Sequence, residues 1–110
     1  MGVYQIYDGQ YTVYPVGNPQ VTQIQVDVPG RVKIMILPTV SEALQLTVNG
    51  NSGYLNQGNV LSSGSWYTFE FVSCGKDVIS INGQTQGVYL RVIVYDPKRA
   101  RHEETHQDRD

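Results

Sequence analysis

Residues 21–38 of this 110-residue chain read VTQIQVDVPGRVKIMILP. Apolar and polar residues alternate in both halves of this stretch, which is the pattern of a β-strand with one buried face. The apolar positions are Ile24, Val26 and Val28, followed by Val32, Ile34 and Ile36. Pro29-Gly30 between the halves predicts a turn. The stretch therefore predicts two consecutive strands, Val21–Val28 and Arg31–Leu37.

The same alternation continues on both sides of this stretch. It predicts further strands at Val3–Tyr7, Tyr11–Tyr14, Leu44–Val48, Trp66–Val72, Asp77–Ile81 and Val88–Tyr95. Asp8-Gly9 predicts a turn between the first two, and Asn49-Gly50 is the strongest hairpin signal in the chain. No connection is long enough for the crossover helix of a parallel sheet. We expect an all-β fold, an antiparallel β-sandwich or jelly-roll-like barrel of about eight strands.

Charge divides the chain into a body and a tail. Residues 97–110 hold 8 of the 18 charged residues and both histidines, whereas residues 1–96 hold only 10 charges. A segment this polar cannot bury enough apolar surface to offset its ordering entropy. We therefore expect one β-domain over residues 1–96 and a flexible charged C-terminal tail over residues 97–110.

Composition excludes several classes of protein. The formal net charge of −2 argues against a nucleic-acid-binding protein, which would be basic. No apolar run approaches the ~20 residues of a membrane-spanning helix. The N-terminal residues have neither the basic nor the apolar region of a secretion signal. Cys74 is the only cysteine and has no partner for an internal disulfide.

The sequence offers no catalytic set. His102-Glu103-Glu104-Thr105-His106 fits the H-E-x-x-H pattern of zinc hydrolases. That pattern needs a helix inside a folded domain and a third ligand, however, and here it lies in the polar tail. Cys74 has no histidine in the body to act as its base. We expect no enzymatic activity, no cofactor and no functional metal site.

Four tyrosines in the first 14 residues form one candidate binding surface. Tyr4, Tyr7, Tyr11 and Tyr14 combine rigid contact area with polar tips, which suits an interface with another subunit or a partner protein. The alternative is an aromatic-rich edge hairpin that packs within its own sandwich.

Trp66 and Tyr67, beside Gly64 and Ser65, form a second candidate. They would provide an aromatic platform for a sugar ring, with Asn and Gln side chains supplying hydrogen bonds. The alternative is ordinary packing, because one face of this strand must be core.

The small number of charged residues in residues 1–96 bears on whether the protein has binding partners. Protein interfaces are depleted in Lys, Glu and Asp and enriched in Tyr and Trp. A surface largely covered by neighbours has this composition, and so does a β surface solvated by amides and hydroxyls.

The hairpin Thr47-Val48-Asn49-Gly50, followed by Gly64-Ser65-Trp66-Tyr67-Thr68-Phe69-Glu70-Phe71, resembles small accessory structural proteins of tailed bacteriophages and other viruses, among them head-decoration proteins. The resemblance covers residues 1–96. It implies a non-enzymatic, self-associating subunit, with a trimer favoured, that binds and stabilises a capsid lattice. It places the protein in the virion, assembled in the host cytoplasm, with the tail as an arm. The alternative function is a carbohydrate-binding module that uses Trp66 and surface tyrosines.

Overall fold

A computed structural model describes residues 3–84 and 86–95, with Gln86 described for its backbone alone. The strands are β1 (Val3–Val13), β2 (Ile24–Val26), β3 (Gly30–Pro38), β4 (Gln45–Val48), β5 (Asn51–Tyr54), β6 (Tyr67–Ser73), β7 (Asp77–Asn82) and β8 (Gln86–Tyr95). One turn of 3₁₀ helix, Leu55–Gly58, follows β5. Within the described residues no helix has the length and apolarity to cross a membrane.

The strands form two four-stranded antiparallel sheets. Sheet A has the order β1-β8-β3-β6 and sheet B the order β2-β7-β4-β5. Strands pair from the two ends of the chain inward: β1 with β8, β2 with β7, β3 with β6 and β4 with β5. A long hairpin folded over on itself gives this order, which is that of the double-sheet jelly roll. The predicted all-β class, the antiparallel pairing and the eight strands are confirmed.

The apolar side chains that alternate with polar ones along the strands point inward and form the core between the two sheets. Val32, Ile34 and Ile36 of β3 are buried, as are Ile24 and Val26 of β2. Sixteen hydrophobic side chains form this buried cluster, which also takes in Tyr11 and Leu90. Burying them supplies the main driving force for folding.

The Asn49-Gly50 turn is confirmed. Asn49 has φ 52° and Gly50 has φ 87°, and the two residues join β4 to β5. Two consecutive positive φ angles are typical of the type I′ turn, whose twist matches that of the strands.

The predicted turn at Asp8-Gly9 is wrong. Residues 3–13 form one continuous strand that pairs with β8 along its length, and Gly9 lies opposite Leu90. The ten-residue β8 offers a partner for the whole segment, so pairing between distant strands overrides a local turn signal. The register shifts only between Gln5 and Tyr7, where Ile6 forms a β-bulge.

The predicted strand Val21–Val28 is also shorter than expected, because only Ile24–Val26 pairs with β7. Residues before it form a loop with consecutive turns: the N–H of Asn18 donates to the Pro15 carbonyl, and the N–H of Val21 donates to the Asn18 carbonyl. The predicted tail, residues 97–110, lies outside the described residues.

Candidate functional site

Sheet edges are the first place to look for an interaction site in this fold, because an edge strand presents unpaired N–H and C=O groups. Proteins protect such edges with bulges or very short strands. The edge strand β1 contains a bulge, β2 has three residues, and β5 has four residues including Gly53. The fourth edge strand, β6, has seven residues and an unbroken register with β3.

The β6 edge, Tyr67–Ser73, carries one charged residue, Glu70, and none of the other usual protective features. Its sequence YTFEFVS contains no proline, glycine or lysine. Phe69 and Phe71 on its inner face are only partly buried against the core, and Val72 on its outer face is 65% exposed. Aromatic and β-branched residues are those that favour pairing between strands.

The single charged residue on β6, Glu70, is paired with neighbouring strands but keeps its negative charge. A carboxylate oxygen of Glu70 lies 3.5 Å from the guanidinium of Arg31 on β3 and accepts a hydrogen bond of 3.3 Å from the hydroxyl of Tyr95 on β8. Burial and the charge of Glu70 raise the pKa of Tyr95, although Arg31 opposes this. Tyr95 therefore stays a neutral donor to Glu70 at physiological pH.

Trp66 and Tyr67 do not form a joint platform. Trp66 is 53% exposed on the outer face of sheet A, where its ring meets that of Tyr89 edge-on at a centroid distance of 5.8 Å. Tyr67 faces the core side, and its hydroxyl accepts the backbone N–H of Ser62 at 2.8 Å, which lowers its pKa. Successive residues of a strand point to opposite faces, so the sequence itself separates this pair.

Tyr89, which the sequence reading did not single out, links Trp66 to a polar cluster. The Tyr89 hydroxyl donates to Asp8 at 2.7 Å, and the same carboxylate oxygen lies 3.5 Å from Arg91. The bond to Asp8 is the largest cause of the raised pKa of Tyr89. Only the register between β1 and β8 brings these residues together.

The four N-terminal tyrosines have different environments. Tyr4 is half-exposed opposite Val94, whereas Tyr7 is partly buried and meets Tyr11 edge-on at 5.8 Å. Tyr11 is 2% exposed and belongs to the core, so it has no surface to offer a partner. Tyr14 follows β1, and its carbonyl accepts the backbone N–H of Gly83 at 3.0 Å. The four side chains therefore do not form one exposed patch.

Charged side chains are concentrated on one face of the molecule. The outer face of sheet A carries Asp8, Arg31, Lys33, Glu70 and Arg91. The outward-facing strand residues of sheet B are all uncharged: Gln25, Gln45, Thr47, Ser52, Tyr54, Val78, Ser80 and Asn82. The low charge of the body is therefore a property of sheet B in particular.

Among residues 3–84 and 86–95, no three His, Cys, Asp or Glu side chains lie close enough together to hold a metal ion. Cys74 is exposed and unbridged. The segment His102–His106 lies outside the described residues.

Comparison of the chain with protein-family models and with curated proteins finds no match. The resemblance to head-decoration proteins stays a prediction.

Proposed function

We propose that this protein is a non-enzymatic structural subunit that self-associates and takes part in a larger assembly, as capsid decoration proteins do. The observation that carries the proposal is the β6 edge, which is long, has an unbroken register and carries a single charged residue. The fold agrees with it by analogy, since double-sheet jelly rolls occur in viral capsid proteins and also in lectins. The virion as the location and a capsid lattice as the partner belong to the same proposal.

A second copy of the chain fits the β6 edge best, so the assembly that we propose through this edge is a twofold dimer and not the trimer that the resemblance favours. Two β6 strands related by a twofold axis would pair antiparallel and join two copies of sheet A into one sheet of eight strands. Such a contact is self-complementary, as a twofold interface must be. The backbone groups left open on β6 would then be paired, which removes an edge that otherwise invites aggregation.

The positions of the side chains select one register for this pairing. With the axis at Phe69, Tyr67 lies opposite Phe71 of the other copy and Thr68 lies opposite Glu70. Aromatic pairs across strands are stabilising, whereas like charges directly opposite each other are destabilising. An axis at Glu70 would set the two Glu70 carboxylates against each other, so we infer the register centred on Phe69.

Thr68→Glu tests the proposal by placing two carboxylates opposite each other twice in each dimer. We expect the dissociation constant to rise about thirtyfold, since two repulsive pairs cost together ~2 kcal/mol. Analytical ultracentrifugation and native mass spectrometry measure it. Thr12→Glu is the matched control, because Thr12 is equally exposed but lies on the edge strand β1; its dissociation constant should equal that of the wild type.

A wild type that stays monomeric at high concentration contradicts the proposal, as does a trimer whose mass Thr68→Glu leaves unchanged. Deleting residues 97–110 tests whether the tail, rather than β6, holds the copies together. We expect the shortened chain to remain a dimer, and its dissociation would count against pairing through β6.

Disulfide trapping tests the register itself. In a Cys74→Ser background, we expect Thr68→Cys and Glu70→Cys to cross-link when mixed, because directly opposite residues lie about 4.5–5.5 Å apart at Cα, within reach of a disulfide. Each variant alone should give little covalent dimer, since its two cysteines would be offset along the strand. Non-reducing electrophoresis reads out both. Cross-linking of Glu70→Cys alone, at a level equal to the mixture, would overturn the register.

A further inference from the structure

A groove whose lining, in the part of the chain that the structure describes, is entirely uncharged runs across the outer face of sheet B. One hollow of about 560 Å³ lies between the loop Val16–Pro19 and the strands β4 and β7. A second of about 330 Å³ continues from it and shares Val16 and Asn82 as lining residues. Both are within the range of about 300–1,000 Å³ found for ligand sites. We call the two hollows together the neutral groove.

Two rows of polar side chains form the floor of the neutral groove. In the first row Gln45 of β4 lies opposite Asn82 of β7 on one side and opposite Tyr54 of β5 on the other. The second row lies two residues further along β4 and consists of hydroxyl side chains. Its members in the floor are Thr47 and Ser80, and Ser52 lies next to Thr47 outside the lining of the groove. The floor therefore presents amide and hydroxyl groups side by side, with an aromatic ring at one end.

Hydrogen bonds fix the centre of this floor before any ligand arrives. The Thr47 hydroxyl donates to the side-chain oxygen of Asn82 at 2.6 Å and lies 3.1 Å from the hydroxyl of Ser52. The side-chain amide of Asn82 donates to the Tyr14 carbonyl at 3.2 Å. Because Asn82 is 3% exposed and held at both ends, its geometry is pre-organised, which reduces the entropy lost on binding.

The loop wall is also ordered by its own contacts. The side-chain oxygen of Asn18 accepts the backbone N–H of Gln20 at 2.7 Å, and Pro15 and Pro19 restrict the backbone on either side. A wall built in this way keeps the groove open without a ligand.

Polar groups remain available for a ligand. Among the described residues, the side-chain amides of Gln23 and Gln45 have no hydrogen-bond partner, although both line the groove. An amide offers a donor and an acceptor on one rigid plane, which matches two neighbouring hydroxyls of a sugar. Tyr54 is 61% exposed at the end of the row, and its ring can cover the apolar C–H face of a pyranose.

We infer that the neutral groove binds an uncharged oligosaccharide, with Tyr54 as the stacking residue and Gln45 and Gln23 as hydrogen-bonding residues. Anionic ligands such as nucleic acids are disfavoured because none of the described residues that line the groove is cationic. The site lies on sheet B, away from the β6 edge of sheet A, so it does not depend on self-association.

The test is isothermal titration calorimetry of the full chain with neutral glucose and mannose oligosaccharides in α and β linkages. Oligogalacturonate serves as the acidic comparison. We expect at least one neutral oligosaccharide to bind with a dissociation constant below about 1 mM. Tyr54→Ala should weaken that binding about tenfold or more, because an exposed ring at the end of a site contributes as an anchor.

Trp66→Ala is the matched control, since it removes a ring of similar exposure from the outer face of sheet A. It should leave affinity unchanged, as should Thr68→Glu. Gln45→Leu, which keeps the size of the side chain and removes its hydrogen bonds, should also weaken binding. No binding by any neutral oligosaccharide, tighter binding of oligogalacturonate, or an equal loss in Trp66→Ala and Tyr54→Ala would overturn the inference.

Discussion

Tyr11→Phe should lower the free energy of unfolding by about 2–3 kcal/mol, although it removes a single oxygen atom. The Tyr11 hydroxyl donates to the Thr22 carbonyl and accepts the backbone N–H of Ile81 at 3.2 Å. It therefore joins β1 of sheet A to β7 of sheet B and to the loop before β2. Phenylalanine leaves the buried N–H of Ile81 and the partly buried carbonyl of Thr22 without this partner, and water cannot easily reach the first of them.

Tyr7→Phe is the matched control for this change. The Tyr7 hydroxyl donates to the exposed carbonyl of Gln10, which water can solvate instead, and its ring packs edge-on against Tyr11 in the same way. We expect a loss of about 0.5 kcal/mol or less. Urea unfolding at constant m-value measures both variants, and equal losses would show that the bridge between sheets contributes nothing.

The same hydroxyl makes stability depend on alkaline pH. Burial raises the pKa of Tyr11 above its ordinary value of 10.0; the bond from Ile81 opposes the shift and the charge of Tyr7 adds to it. The contribution of the neutral hydroxyl is therefore fully present below pH 10 and is lost as pH rises through the raised pKa. The stability of Tyr11→Phe should fall less steeply above pH 10 than that of the wild type.

Gly30→Ala should cost about 3 kcal/mol or more, which combines backbone strain with a steric clash. Gly30 starts β3 with φ 146°, a conformation that residues with a side chain rarely adopt. A Cβ there would lie 2.5 Å from the carbonyl oxygen of Tyr95 and 3.1 Å from a methyl group of Val94. The clash is with the backbone of β8, so a rotamer change cannot relieve it.

Gly53→Ala provides the contrast, because a Cβ on Gly53 meets nothing within 4 Å. We expect no loss, or a gain of about 0.5 kcal/mol from reduced freedom of the unfolded chain. Thermal and urea unfolding of the two variants side by side give the comparison. A Gly30→Ala protein as stable as Gly53→Ala would mean that β3 and β8 separate readily at this end.

Local patterns were sufficient for the buried faces and for most of the strands, but they missed β5 and divided β1 in two. The alternation around Ile34 and the Asn49-Gly50 pair depend on properties of a few neighbouring residues, and the structure follows both. The turn signal at Asp8-Gly9 was misleading because it is a local signal. It describes what an isolated segment prefers, and it contains no information on the partner that β8 provides.

The candidate sites depend on long-range register, which a single sequence does not contain. Gln45, Tyr54 and Asn82 are adjacent only because β7, β4 and β5 are neighbours in this order. Likewise, the residues of β6 do not show that it is an edge strand: it alternates and is rich in apolar side chains, as the interior strand β3 is, and the glycine, lysine and proline typical of edges lie on β3 instead. Its position at the edge is a property of the whole topology.

The pairing of β1 with β8 has a consequence for how the chain acquires its structure. Sheet A lacks one of its two central strands until residues 86–95 have been synthesised, so β1 and β3 emerge from the ribosome with their largest contacts missing. The β4–β5 hairpin is the one pair joined by a short turn and provides the natural nucleus. Folding of such a chain is slow, since distant segments must meet before most of the stabilising contacts form.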